Sequence, residues 1–150
     1  RGVADPDDDI WQRALGMLLA LHDTSRLALA EDVLMRPERH TSNAALDVRA
    51  GLETGLNDPV AIPMLTRLMK APDARTREAV VSILGRLRSP DGVPALASGL
   101  DDEDSNVRRL AVAALSEITG EQPPVDLHVD TLDALEAYWR AWAHQRGLLP

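Results

Sequence analysis

A 31-residue self-similarity limits what this chain can become. Pro63 and Pro94, Asp73 and Asp104, Arg77 and Arg108, Leu84 and Leu115, and Leu87 and Ile118 all stand 31 positions apart, with no gap between them. A period of this size marks a stacked array, in which each unit buries its apolar face only against its neighbours. A proline sits in the first turn of a short helix, where its missing N–H costs nothing. An acidic turn follows, Ala71-Pro72-Asp73 or Asp101-Asp102-Glu103-Asp104. Longer helices are predicted over 74–88 and 105–119, with Asp73 and Asp104 as N-caps. Their apolar stripes are Val80, Ile83, Leu84 and Leu87 in one, and Ala111, Ala114, Leu115 and Ile118 in the other.

One further step of 31 sets Val48, Leu52 and Leu56 opposite Ala79, Ile83 and Leu87. Residues 41–54 then read as a weaker copy of the long helix, with 26–35 as its short partner. Upstream, Ile10, Ala14, Leu18 and Leu21 recur at helical spacing, widened by Trp11 and Leu15, and are expected to face the core. The preceding Asp5–Asp9 run puts negative charge where a helix dipole favours it. Pro123-Pro124 opens a loop before a last helix over 130–146, with Leu132, Leu135, Trp139 and Trp142 on one face and Gly147 as its stop. The expected organisation is an acidic tail, 1–9, and one all-α domain, 10–150. That domain is an α-α solenoid of helical hairpins: N-terminal helices 10–35, repeat helices 41–119, and capping helices at both ends.

Composition agrees. Leu (23) and Ala (21) dominate and Phe is missing, which favours helices and disfavours strands built from aromatic and β-branched side chains. Twenty-four acidic against 16 basic side chains give a net charge of −8, a poor basis for neutralising phosphates, so no nucleic-acid partner is expected. Arg75, Arg77, Arg86 and Arg88 alternate with Glu78 and Asp91 and read as a solvated helix face. With no Cys there is neither disulfide nor thiolate site. The longest stretches without charge, 14–22 and 92–100, fall short of the ~20 residues that span a bilayer, so no membrane insertion is expected. Starting at Arg1, the chain reads as a soluble, processed or excised piece, its compartment open.

The run Pro94-Ala95-Leu96, Asp101–Asp104, then Val107-Arg108-Arg109-Leu110-Ala111-Val112-Ala113-Ala114-Leu115 resembles the HEAT repeat, and more closely the bacterial HEAT-like units of phycobilisome lyase-type proteins. The unit from Ile62-Pro63 to Gly85 is similar, departing at Thr76, where the family usually has Val. The resemblance implies a solenoid that binds a protein partner without chemistry of its own. It also implies a ladder of Asp and Arg between repeats, here Asp73, Arg77, Asp104 and Arg108, although i,i+4 pairing of Asp73 with Arg77 and of Asp104 with Arg108 accounts for the same charges. An accessory role in a lyase-type modification or chromophore attachment is the alternative, and a HEAT-like nucleic-acid binder a third.

Opposite the apolar centre of the long helix lie Glu78, Ser82 and Gly85. The period of 31 adds Arg109, Ala113 and Ser116 on one side, and Asp47, Gly51 and Thr54 on the other. The resemblance places this strip on the concave, second-helix face, where either a partner segment is expected to bind or the small residues only relieve crowding as the helices curve inward. Trp139 and Trp142 read as a cap over the solenoid end, with a partner anchor as the other possibility, and Trp11 mirrors them. Neither Asp5–Asp9 nor Asp101–Asp104 has the turn glycine and distal ligand of a calcium loop. His22, His40, His128 and His144 lack zinc-ligand spacing. No metal or other cofactor is expected. No nucleophile elbow, Walker loop or dinucleotide fingerprint occurs, so no catalytic residue is assigned.

Overall fold

The computed structural model describes residues 6–36, 43–124 and 131–150, which form eight α-helices and no strand. They are α1 (Pro6–Ala20), α2 (Leu27–Met35), α3 (Asn43–Gly55), α4 (Ile62–Leu68), α5 (Ala74–Leu87), α6 (Val93–Ser98), α7 (Ser105–Thr119) and α8 (Leu132–Gln145). Pairs α2/α3, α4/α5 and α6/α7 are hairpins. The second helices α3, α5 and α7 stack side by side, α1 lies against α3, and α8 lies against α7.

Local chemistry sets each boundary. Asp73 and Asp104 cap α5 and α7, accepting from the backbone N–H of Arg75 and of Asn106 and Val107. Each short helix is entered through a 3-10 turn, Pro59–Ala61 or Pro90–Gly92, capped by the side chain of Asp58 or Ser89. Left-handed Arg88 (φ 49°) and Gly120 (φ 68°) end α5 and α7. Leu65, Leu84, Leu96 and Leu115 are at most 1% exposed and join neighbouring hairpins in one core. Thr76 tolerates burial because its hydroxyl donates to Asp73 at 3.2 Å.

Two expectations are corrected. The buried face of α1 is Gln12, Leu15, Gly16 and Leu19, whereas Ile10, Ala14, Leu18 and Leu21 are exposed. The reason is steric: α1 runs so close to α3 that a Cβ on Gly51 would overlap the Gly16 carbonyl, and one on Gly55 the Leu19 carbonyl. Glycine faces, rather than the leucine stripe, let the two backbones meet. The first and second long helices begin 31 residues apart, at Asn43 and Ala74, but their buried faces align best at an offset of 28. Arg49 stands in the place of Arg77, and buried Val48, Leu52 and Leu56 match Thr76, Val80 and Leu84 instead of Ala79, Ile83 and Leu87.

In α8, Trp139 is fully buried and Trp142 nearly so, while Leu132 is 41% exposed; Glu136 completes the inward face. The acidic run 1–9 is helical from Pro6, and Asp5 lies outside the described residues, as do His40, His128 and the expected helix start at Asp130.

Candidate interaction surface

The long helices place three arginines, Arg49, Arg77 and Arg108, on one side of the array. Arg77 donates from Nε and Nη2 to the two carboxylate oxygens of Asp102, at 2.7 and 3.0 Å, and from Nη1 to the Ala71 carbonyl at 2.8 Å. Arg108 repeats this one unit on: Nε to Glu136 at 2.9 Å, Nη1 to the Asp102 and Glu103 carbonyls at 3.0 and 3.1 Å. Arg49 opens the series with a 2.8 Å contact to Asp73. Each arginine therefore reaches the following unit, and Arg77 and Arg108 also hold the acidic turn of their own. Arg77 and Asp102 are 7% and 8% exposed, and the Asp102 carboxylate raises the Arg77 guanidinium above its ordinary value despite burial.

Neither Asp73 nor Asp104 pairs with the arginine four residues on in its own helix: Asp73 receives Arg49 and Thr76, and Asp104 spends its side chain on the helix start. Arg49, Asp102 and Glu136 belong to this series and were not singled out from sequence. An offset of 28 aligns Arg49 with Arg77, but Glu136 lies in a helix that is no copy of the repeat.

The opposite, second-helix face is open. With the corrected register, three ranks cross α3, α5 and α7: Asp47, Arg75 and Asn106; Ala50, Glu78 and Arg109; Thr54, Ser82 and Ala113. All nine are exposed or half-buried. Two residues expected here are not surface groups. Gly51 is buried against Gly16, and Gly85 is buried where an added Cβ would stand 3.0 Å from the Ala114 Cβ, because α5 and α7 approach closely at that point. Ser116 is half-buried; its hydroxyl accepts from Gln122 at 2.7 Å and donates to the Glu121 carbonyl. Asp47 is bridged to Arg13 at 3.3 Å.

Among the described residues, only Arg26, Arg75 and Arg109 are arginines whose side chains make no ion pair or hydrogen bond, and two of these three stand on this face. Arg75, Glu53, Glu78 and Ser82 border a polar depression of about 250 Å³ between α3 and α5, floored by Arg49, Ala79 and Leu110. A second depression, about 430 Å³ and mostly apolar, lies between α1 and α3 over Gly16, Ala20, Ala50 and Gly51.

The tryptophans do not offer a free anchor. Trp139 and Trp142 meet edge-on with centroids 5.1 Å apart, the Trp142 indole donates to Glu121 at 2.5 Å, and Arg146 lies 4.4 Å over its ring. Among the described residues, no group of three or more His, Asp or Glu is placed to hold a metal ion. No helix among them is long and apolar enough to cross a membrane.

Stacked helical hairpins that share one core and bring their second helices to one face define an α-solenoid. A model of HEAT repeats matches residues 28–116 and 61–144, most of the length. The chain belongs to the HEAT-repeat family, whose members generally act as non-catalytic scaffolds in protein–protein interaction. Comparison with curated proteins and with solved structures gave no match.

Proposed function

We propose that this chain is a non-catalytic scaffold that holds a segment of a partner protein across α3, α5 and α7. The observation that supports it is the unpaired charge of Arg75, Glu78 and Arg109. The arginines of the ladder side all have partners within the chain, whereas these three leave an alternating basic–acidic–basic pattern facing solvent. Ser82, Thr54 and Ala113 between them are small enough to let a backbone lie close. A segment of matching charge gains hydrogen bonds there without displacing any existing ion pair, and complementary charge contributes mostly to specificity and association rate.

The test compares the unchanged chain with a Glu78→Arg, Ser82→Arg, Arg109→Glu variant in pull-downs from source-cell extract. Unfolding curves confirm that the variant folds. A partner retained by the chain and lost by the folded variant supports the reading. A partner retained equally by both moves the site off this face and overturns it, as does a chain that retains no partner at all.

A further inference from the structure

Four charged side chains line the depression between α3 and α5, and they are sorted by sign along its length. The two helices run parallel: Arg49 of α3 reaches Asp73 where α5 begins, and Arg86 near the end of α5 reaches the Leu56 carbonyl just beyond α3, both at 2.8 Å. With their buried faces aligned at an offset of 28, Glu53 stands level with Val81. The order along the depression is then Arg75, Arg49, Glu78, Glu53 and Ser82, bases at one end and acids with a hydroxyl at the other.

Arg49 is buried and its charge is met by Asp73. Among the described residues, Arg75, Glu53 and Glu78 form no ion pair, and the Ser82 hydroxyl makes no hydrogen bond. Arg75 precedes Glu78 by three residues on one helix, the spacing of a helical ion pair, yet the two do not pair. A ligand of one sign meets a like charge at one end of the depression. A ligand carrying both signs meets an opposite charge at each.

Separation decides how that ligand is built. At 1.5 Å per residue, Glu78 and Glu53 lie about 4.5 and 9 Å beyond Arg75 along the axes, so a group between them is about 7 Å away. Side chains two positions apart on an extended chain share a face and stand about 7 Å apart. A helix is about 10 Å across, too wide for a depression of about 250 Å³, and it brings acid and base together at i,i+4, where they neutralise each other.

We infer that the depression takes an acidic and a basic side chain two positions apart on an extended segment of a partner protein. The acid pairs with Arg75, and the base sits between Glu53 and Glu78 with the Ser82 hydroxyl beside it. The site is part of the face proposed above and depends on that reading. The residue between the two points away from the depression, so its identity is unrestricted. Both contacts lie at the surface, and each contributes about five-fold in affinity.

Nuclear magnetic resonance of the isotope-labelled 150-residue chain tests this with short blocked peptides of glycine and alanine that carry aspartate and arginine two positions apart. The expected result is saturable shifts of the Glu53, Arg75, Glu78 and Ser82 amides. Peptides bearing either charge alone, or the two charges on adjacent residues, bind about five-fold more weakly. Arg75→Ala removes the preference for the aspartate and keeps that for the arginine, and Glu53→Gln, Glu78→Gln does the reverse. The comparison among peptides uses the unchanged chain and stands even where a variant fails to fold. No shift with the doubly charged peptide, equal binding of the control peptides, or preferences that the folded variants leave unaltered each overturns the proposal. If an extract partner is nonetheless lost on Glu78→Arg, Ser82→Arg, Arg109→Glu substitution, the face stands and only the acid–base recognition falls. If no partner is retained, the face falls with it.

Discussion

Gly16 of α1 and Gly51 of α3 meet backbone to backbone, and no side chain fits between them: a Cβ on Gly16 would stand 2.5 Å from the Asp47 carbonyl oxygen, and one on Gly51 would overlap the Gly16 carbonyl. The obstacle is main chain on both sides, so no rotamer change relieves it. Gly51→Ala is therefore expected to lower unfolding free energy by about 3 kcal/mol, the upper range for overpacking. Urea unfolding checks it. The same change at Gly120, where nothing lies near but φ is 68°, acts through the backbone alone and costs about 1 kcal/mol.

Arg77→Ala removes one partner of a pair in which both side chains are more than nine-tenths buried, leaving Asp102 charged and the Ala71 carbonyl without its donor. Breaking a buried pair in this way costs about 3–5 kcal/mol. The double variant Arg77→Met, Asp102→Leu is expected to recover much of that loss. A thermal double-mutant cycle measures the coupling, and additivity of the two single changes would show that the bridge is not what holds the units together.

Trp139 is fully enclosed between Tyr138, Trp142 and the α7 side of the core. Trp139→Ala is expected to cost about 3–5 kcal/mol, as for other large-to-small core changes. Loss of the blue-shifted part of the tryptophan emission before global unfolding would indicate that α8 detaches first.

Glu31 on α2 and Arg67 on α4 form a two-bond clamp at 2.6 and 2.8 Å. The Arg67 hydrogen bond is the main cause that holds the Glu31 carboxyl below its ordinary value. A lowered folded-state value stabilises the fold fully above about pH 5, and that contribution is lost as pH falls through the folded value. Arg67 and Arg77 are shifted upward, so their contributions persist throughout that range. Glu31→Gln is expected to flatten the acid side of the stability–pH profile and leave the profile above pH 6 parallel to the original. An unchanged acid limb would refute the assignment.

The helical hairpins were legible because both cues to a repeat are local: proline at a helix start and an acidic N-cap lie at fixed distance in the two strong copies. The first copy was misread by three residues because its signal is carried by Arg49 alone, and Leu, Gly and Ala recur often enough around 46–56 to support two registers. The orientation of α1 was illegible for a related reason. Hydrophobicity points to Ile10, Leu18 and Leu21, but closeness of approach decided the face, and glycine, near the middle of any hydrophobic scale, adds nothing to an amphipathic pattern. Of the strip expected to bind a partner, Glu78, Ser82, Arg109 and Ala113 stand on the open face, while Gly51 and Gly85 sit where helices touch.

The arginine series has a direction. Every long helix supplies its own cation and borrows the neutralising carboxylate from whatever follows, Asp73 for Arg49, Asp102 for Arg77 and Glu136 for Arg108. The joint between α7 and α8 thus makes the same electrostatic demand as the joint between α5 and the unit after it. A duplicate of residues 90–120 inserted ahead of the last helix brings one spare cation and one acidic turn, which leaves every rung matched. Deleting α8 instead strands Arg108. The array is thus expected to tolerate lengthening from within better than loss of its last helix, with unfolding free energy of the two variants as the measure.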